Sequence, residues 1–311
     1  MAGPLVTVVL PTYDRFEFLP SAVKSVFDQT MQDWELVVAD DGSGREVRDY
    51  LSTLHDGARI RTLLLPHSGN PSRARNAAIA IARAPYVAFL DSDDVWEARK
   101  LEQQLATMRA KEGCDWSYTG VTFIDFEGKQ LAAELYRRWT EYRGLVFERI
   151  LRDPASVRTP TVVIATTQLV RDVGGFDEAM NSGEDTDLWM RLALRGPACI
   201  VGESLARIRI HAVDRKREVS RPYASRDYSL RKITEGATTA QRALLERERA
   251  LNALLWAIET AAHGDRWHAL ALLGKSLPLG WKFALWWYES VKALRACFLP
   301  SRAQSRGEAN G

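Results

Sequence analysis

Across about the first 125 residues, short apolar runs alternate with helically spaced apolar stripes, and that alternation admits little besides a parallel α/β sheet. The runs are Leu5–Leu10, Leu36–Ala39 and Tyr86–Leu90, and Ile60–Leu65 reads as a further strand. Tyr86–Leu90 has no polar face at all, as expected of a strand buried on both sides. Between the runs, Leu19, Val23, Val26 and Phe27 recur at helical spacing, and Arg45–Leu54 reads as a second helix. Ser72 is placed to N-cap a third, with a stripe of Ala74, Ala77, Ala78 and Ile81. Leu101, Leu105 and Met108 mark a fourth.

Three of the predicted strands end in chemically loaded loops: Pro11-Thr12-Tyr13-Asp14, Asp40-Asp41-Gly42-Ser43 and Asp91-Ser92-Asp93-Asp94. Parallel strands put their C-terminal ends on one edge of the sheet, so the three loops should converge on one crevice, the place where open α/β sheets bind ligands. Crowded carboxylates at ~4 Å repel one another by about 4 kcal/mol in a partly screened site. A hard divalent cation with oxygen ligands, Mg²⁺ or Mn²⁺, is the natural counter-charge. An acidic loop that caps the next helix is the alternative.

The composition, 46% hydrophobic and 26% charged, is ordinary for a globular protein, so disorder is not the default, and a net charge of +2 gives no reason to expect a nucleic-acid partner. Cys114, Cys199 and Cys297 are widely spaced and odd in number, so no disulfide framework is expected and a reducing cytoplasm fits. Met1 is followed directly by a strand, which leaves no room for a signal peptide. No uncharged apolar stretch is long enough to span a bilayer.

From Trp116 the pattern changes to a strand over Trp116–Asp125, a turn at Glu127-Gly128, and mixed strands and short helices to about Ile210. Gly174-Gly175-Phe176 follows a helical stretch over Thr167–Val173, where paired glycines can cap the helix. Glu184-Asp185 precedes an apolar helix start at Leu188-Trp189-Met190, so their acids also suit a first helical turn.

Taken together, these segments resemble the family 2 glycosyltransferases of the GT-A fold. The resemblance rests on Val8-Val9-Leu10-Pro11-Thr12-Tyr13-Asp14-Arg15, Val37-Val38-Ala39-Asp40-Asp41-Gly42-Ser43, Ala74-Arg75-Asn76, Phe89-Leu90-Asp91-Ser92-Asp93-Asp94, Gly174-Gly175-Phe176-Asp177-Glu178 and Gly183-Glu184-Asp185. It implies a Rossmann-like mixed sheet flanked by helices. It also implies an inverting transfer of a sugar from a nucleotide-diphosphate donor to a hydroxyl on a glycan or lipid-linked acceptor, in cell-surface polysaccharide or glycolipid synthesis. By the same resemblance Pro11, Thr12, Asp41, Arg75 and Asp91 bind the nucleotide, Asp93, Asp94 and His211 hold Mn²⁺ or Mg²⁺, Asp185 is the general base, and Gly175 and Glu184 lie on the acceptor side. Asp187 is a bystander in this reading. The charged stretch Val213–Val219 departs from the family pattern; its Arg215, Lys216 and Arg217 suit either closure over a diphosphate or a solvated charge run. A sugar nucleotidyltransferase or a non-catalytic assembly protein on the same scaffold are the rival readings. The first of these needs a Gly-rich basic loop that Pro11–Arg15 lacks.

The expected division is a GT-A domain over residues 1–220, with a nucleotide half to about 125 and an acceptor half from 126, then a helical region over 221–300 and a flexible tail at 301–311. Within the helical region Trp281–Phe298 reads as amphipathic, with Phe283, Trp287, Val291, Leu294 and Phe298 on one stripe. Such a helix, over about 279–298, can lie in a membrane interface, pack on the catalytic domain or join a homo-oligomer, and the sequence leaves these open. The localisation that fits is cytoplasmic, with a peripheral position on the inner face of the plasma membrane under the first of these.

Overall fold

The computed structural model describes residues 3–54, 58–131, 146–153, 156–211, 220–282 and 284–298. The chain forms two compact units, Met1–Val213 and Asp214–Gly311. The expected tail at 301–311, the basic run Arg215–Arg217 and Phe283 lie outside the described residues.

The first unit is built on an eight-stranded mixed sheet. Its elements, in chain order, are β1 (Val6–Thr12), α1 (Leu19–Phe27), β2 (Trp34–Asp40), α2 (Arg45–Thr53), β3 (Ile60–Leu64), α3 (Pro71–Ala80), β4 (Tyr86–Phe89), β5 (Val95–Trp96), α4 (Lys100–Ala110), β6 (Trp116–Ile124), α5 (Val146–Arg152), β7 (Val163–Thr166), α6 (Thr167–Asp172), α7 (Glu184–Arg195) and β8 (Ala198–Arg209). The strand order is β3-β2-β1-β4-β7-β6-β8-β5. The first four strands pair in parallel, as the alternation predicts. β7 is then inserted antiparallel between β4 and β6. All seven residues of β1 and of β2 are buried, which explains why both are largely apolar.

One acid inside this sheet is structural. Glu35, in β2, accepts hydrogen bonds from Thr7 Oγ1 (2.6 Å), Arg83 Nε (2.6 Å) and Arg61 Nη2 (2.9 Å), joining neighbouring strands. Burial alone would raise its pKa, but Thr7, Arg83 and Arg61 hold it below the ordinary carboxylate value.

The structure corrects two expectations. Asn70, not Ser72, caps α3: its side chain accepts from Ser72 N at 2.9 Å, and Pro71 takes the first helical position, where a missing N–H costs nothing. Cys114 and Cys199 are joined by a disulfide, with Cα atoms 5.9 Å apart. They are 85 residues apart in sequence, but the parallel pairing of β6 with β8 starts beside them, with Trp116 opposite Ala198. The cysteine-based reason for a reducing compartment therefore falls away.

The second unit comprises α8 (Ser220–Glu235), α9 (Thr239–Ala262), α10 (Arg266–Gly280) and α11 (Ala284–Phe298). A reciprocal capping box between Thr238 and Gln241 starts α9. Ala257 and Ala261 of α9 pack with Ala269 and Leu272 of α10, while Ala250 and Leu254 pack with Trp286 of α11. Trp286 donates its indole N–H to Ser276 Oγ at 3.0 Å, and a Cβ on Gly280 would lie 2.0 Å from that indole. Among the described residues no helix is long and apolar enough to cross a membrane.

Candidate active site

The C-terminal ends of β1, β2 and β4 do meet. Asp41 N donates to Thr12 O at 2.9 Å, and Leu90 N to Val9 O at 3.0 Å, so the ladder brings the three loops to one edge. There they border a cavity of about 450 Å³ whose lining includes Pro11, Thr12, Asp41, Arg75, Asp91 and Asp93. Six residues singled out from sequence, drawn from four separate segments, thus face one space.

The residues after β1 and β2 are held by neighbouring loops. Asp41 Oδ1 accepts from Ser68 N (3.0 Å) and Ser68 Oγ (2.8 Å), and Oδ2 accepts from Gly69 N (2.9 Å). The carboxylate therefore fixes the loop after β3 while it lines the cavity. Gly42 in turn lets this loop approach, since a Cβ there would sit 2.7 Å from His67 N. Thr12 is buried and its Oγ1 finds no partner among the described residues. A buried hydroxyl without a partner at a cavity wall is a waiting contact for a polar ligand. His67, which the sequence reading passed over, stacks its ring on Tyr13 at 4.1 Å between centroids.

Arg75 ties the loop after β4 to the start of α7. It is buried, donating to Asp91 Oδ1 (2.9 Å) and to Glu184 Oε1 (3.2 Å), and its guanidinium lies 5.1 Å from the Phe176 ring. Burial works against its charge, but Asp91 and Glu184 prevail and its pKa is raised. Asp91 is held further by Thr159 Oγ1 at 3.1 Å.

Asp185 and Glu184 open α7, behind Gly183 in the left-handed region. Asp185 Oδ1 accepts from Thr186 N at 2.6 Å. Burial and then Glu184 push its pKa up to about 6, against the Thr186 hydrogen bond and Arg75. A carboxyl poised there is mostly ionised at neutral pH yet basic enough to take a proton. Asp187 is wholly buried and paired with Arg191 (2.7 Å). Arg191 also donates to Val173 O, which anchors the loop carrying Gly174 and Gly175. Gly175 N donates to Val170 O, closing α6, so the paired glycines act as a helix cap here. Asn76 holds the same loop by bonds to both Phe176 N (2.9 Å) and Phe176 O (2.8 Å).

The three residues assigned to a metal do not behave alike. Asp93 Oδ2 and His211 Nε2 are 2.7 Å apart, and Asp93 faces the cavity. Asp94 is turned inward: Oδ2 accepts from Thr161 Oγ1 (2.5 Å) and Oδ1 from Arg209 N (3.0 Å). Burial and the charges of Asp91 and Asp93 push its pKa well up. Among the described residues no three His, Cys, Asp or Glu side chains form a cage. One carboxylate and one imidazole still fit a divalent cation that takes its remaining ligands from phosphate and water. Arg209, which the sequence reading left unassigned, positions this group. Its Nε donates to Asp93 O (3.0 Å), its Nη1 to Asp125 O (2.7 Å) and Phe126 O, and its guanidinium lies 4.5 Å from the Phe18 ring. The strand-like alternation Arg207-Ile208-Arg209-Ile210 was the only available signal for it.

Residues 7–163 match the family model for glycosyl transferase family 2. An uncharacterized glycosyltransferase of Rickettsia bellii is 32% identical over 205 residues, 66% of this chain and 29% of that protein, so the chain spans under a third of that relative. The Escherichia coli UDP-Glc:alpha-D-GlcNAc-diphosphoundecaprenol beta-1,3-glucosyltransferase WfgD is 38% identical over 188 residues, 60% of this chain and 69% of that one. In fold, the chain is similar to S. aureus TarS 1-349, solved in complex with UDP-GlcNAc, with a TM-score of 0.72, 17% identity, and coverage of 94% of this chain and 89% of that one.

Proposed function

Given a chain that belongs to glycosyl transferase family 2 and has the GT-A fold, we propose that it moves a sugar from a nucleoside-diphosphate donor to an acceptor hydroxyl with inversion at the anomeric carbon. One observation carries this reading. A single cavity is lined by Asp41, Asp91 and Asp93, and Arg75 connects it to Glu184, the neighbour of Asp185. A uridine base is the first to test, because WfgD is named for UDP-Glc and TarS was solved with UDP-GlcNAc. The acceptor class that fits is a cell-surface glycan or a lipid-linked sugar, the latter being in WfgD's name.

In this mechanism Asp41 and the unpartnered Thr12 hydroxyl receive the base, and Asp41 fixes the loop beside it. Asp93 and His211 would hold the cation, and Asp94 ties their loop to Thr161 and Arg209. When bound, the cation supplies positive charge to the diphosphate as it departs. Glu184 is engaged by Arg75, which leaves Asp185 to accept the proton of the acceptor hydroxyl. That oxygen bonds to the anomeric carbon as the bond to the diphosphate oxygen breaks on the opposite face. One such displacement inverts the centre.

Replacing Asp185→Asn removes the base while keeping the shape. Turnover should fall by at least ~100-fold with donor affinity little changed. In the unaltered enzyme kcat should rise with pH through an apparent pKa near 6, as Asp185 loses its proton. Near-normal turnover in the variant would remove Asp185 as the base.

A further inference from the structure

Three residues of the amphipathic stripe read from sequence, Trp287, Val291 and Leu294, face solvent. Trp287, Val291 and Leu294 are 55%, 49% and 44% exposed, and Tyr288 and Trp281 beside them 62% and 53%. The helix is held to its own unit by the other side, through buried Trp286 and Ser290. Trp287 Nε1 donates to Trp281 O at 2.8 Å, which ties this side of α11 to the turn that carries Trp281. Large contiguous apolar patches on a folded surface mark interaction sites.

The charge around the patch selects the partner. The second unit carries seventeen Lys and Arg against ten Asp and Glu, a net of +7, whereas the first unit is net −5. Lys282 Nζ lies 5.5 Å from the Trp281 ring and Lys292 Nζ 4.4 Å from the Tyr288 ring; exposed Arg295 follows on the same helix. Aromatic side chains with flanking cations are suited to the interface between headgroups and acyl chains. A second copy of the chain would bring the same cations face to face. A nucleic-acid backbone would satisfy them but leave Val291 and Leu294 uncovered. An anionic lipid surface satisfies both. At fifteen residues the helix can lie along a bilayer surface and is too short to cross it.

We propose that the patch formed by Trp287, Tyr288, Val291 and Leu294 of α11 and by Trp281 of the turn before it, with Lys282, Lys292 and Arg295, docks on an anionic lipid bilayer. The inference is independent of the sugar-transfer reading. The test is co-sedimentation of the full chain with vesicles of phosphatidylcholine alone or with about one third phosphatidylglycerol. Binding to the anionic vesicles should be at least ~10-fold tighter and should weaken with salt. Trp287→Ser with Val291→Ser should reduce it by ~10-fold or more. Lys292→Gln with Arg295→Gln, which leaves the apolar packing alone, should remove most of the preference for phosphatidylglycerol. The proposal is overturned if the chain stays in solution with anionic vesicles or if the charge-neutral variant binds as well as the original. It is also overturned if sedimentation velocity reveals a dimer that the serine variant dissociates.

Discussion

At the scale of single residues, the site depends on side chains that hold other side chains. Arg209 is the clearest case, because its guanidinium joins the Asp93 backbone to Asp125 and Phe126 while its amide holds Asp94. A lysine there keeps the charge but not the planar fork of donors. Arg209→Lys should lower stability by about 1–3 kcal/mol and weaken Mn²⁺-dependent donor binding, read by chemical unfolding and by calorimetric titration. Unchanged values in both would show that the loop carrying Asp93 is fixed by other means. The sequence displayed the acids of this site because carboxylates clustered at a strand end are locally conspicuous. It could not display Arg209, whose partners lie 83 to 116 residues away. Nor could it distinguish Asp93 from Asp94, since which of two adjacent acids turns inward is decided by Thr161 and Arg209, both distant in the chain.

At the scale of elements, β1, β2 and β4 and their helices were legible because a strand buried on both faces is mostly apolar; β3, with only Ile60 buried, carried a weaker signal. β5 and β7 were not legible. β5 has two residues, and β7 has four that merge with the α6 start at Thr167. The turn from α6 to α7 was visible as paired glycines, and its geometry gives their roles different weights. Gly174 and Gly175 both have positive φ, but a Cβ on Gly174 would meet no atom within 4 Å, whereas one on Gly175 would lie 2.6 Å from Asn76 Oδ1. That oxygen is the acceptor for Phe176 N. Gly175→Ala should therefore cost about 1–3 kcal/mol from backbone strain and displacement of Asn76, and more than Gly174→Ala. Equilibrium unfolding of the two variants checks the order, and a larger loss at Gly174 would contradict this account of the turn.

At the scale of the whole molecule, the chain combines an acidic sheet unit with a basic helical unit, a contrast concealed by a net charge of +2. The amphipathic period of α11 was legible, but its direction was not, since which side packs is settled by Trp286 and its fit over Gly280. In the sheet unit, stretches from β1, β2, β4 and α3 contribute to one cavity, and the whole functional reading requires that cavity to hold a nucleotide through a cation. The direct test is isothermal titration of UDP into the full chain and into Asp93→Ala, each with and without Mn²⁺. The account predicts binding to the unaltered chain that depends on Mn²⁺, and loss of that dependence in Asp93→Ala. UDP binding of equal strength with and without the metal, or an Asp93→Ala chain that responds to Mn²⁺ as the original does, would contradict it.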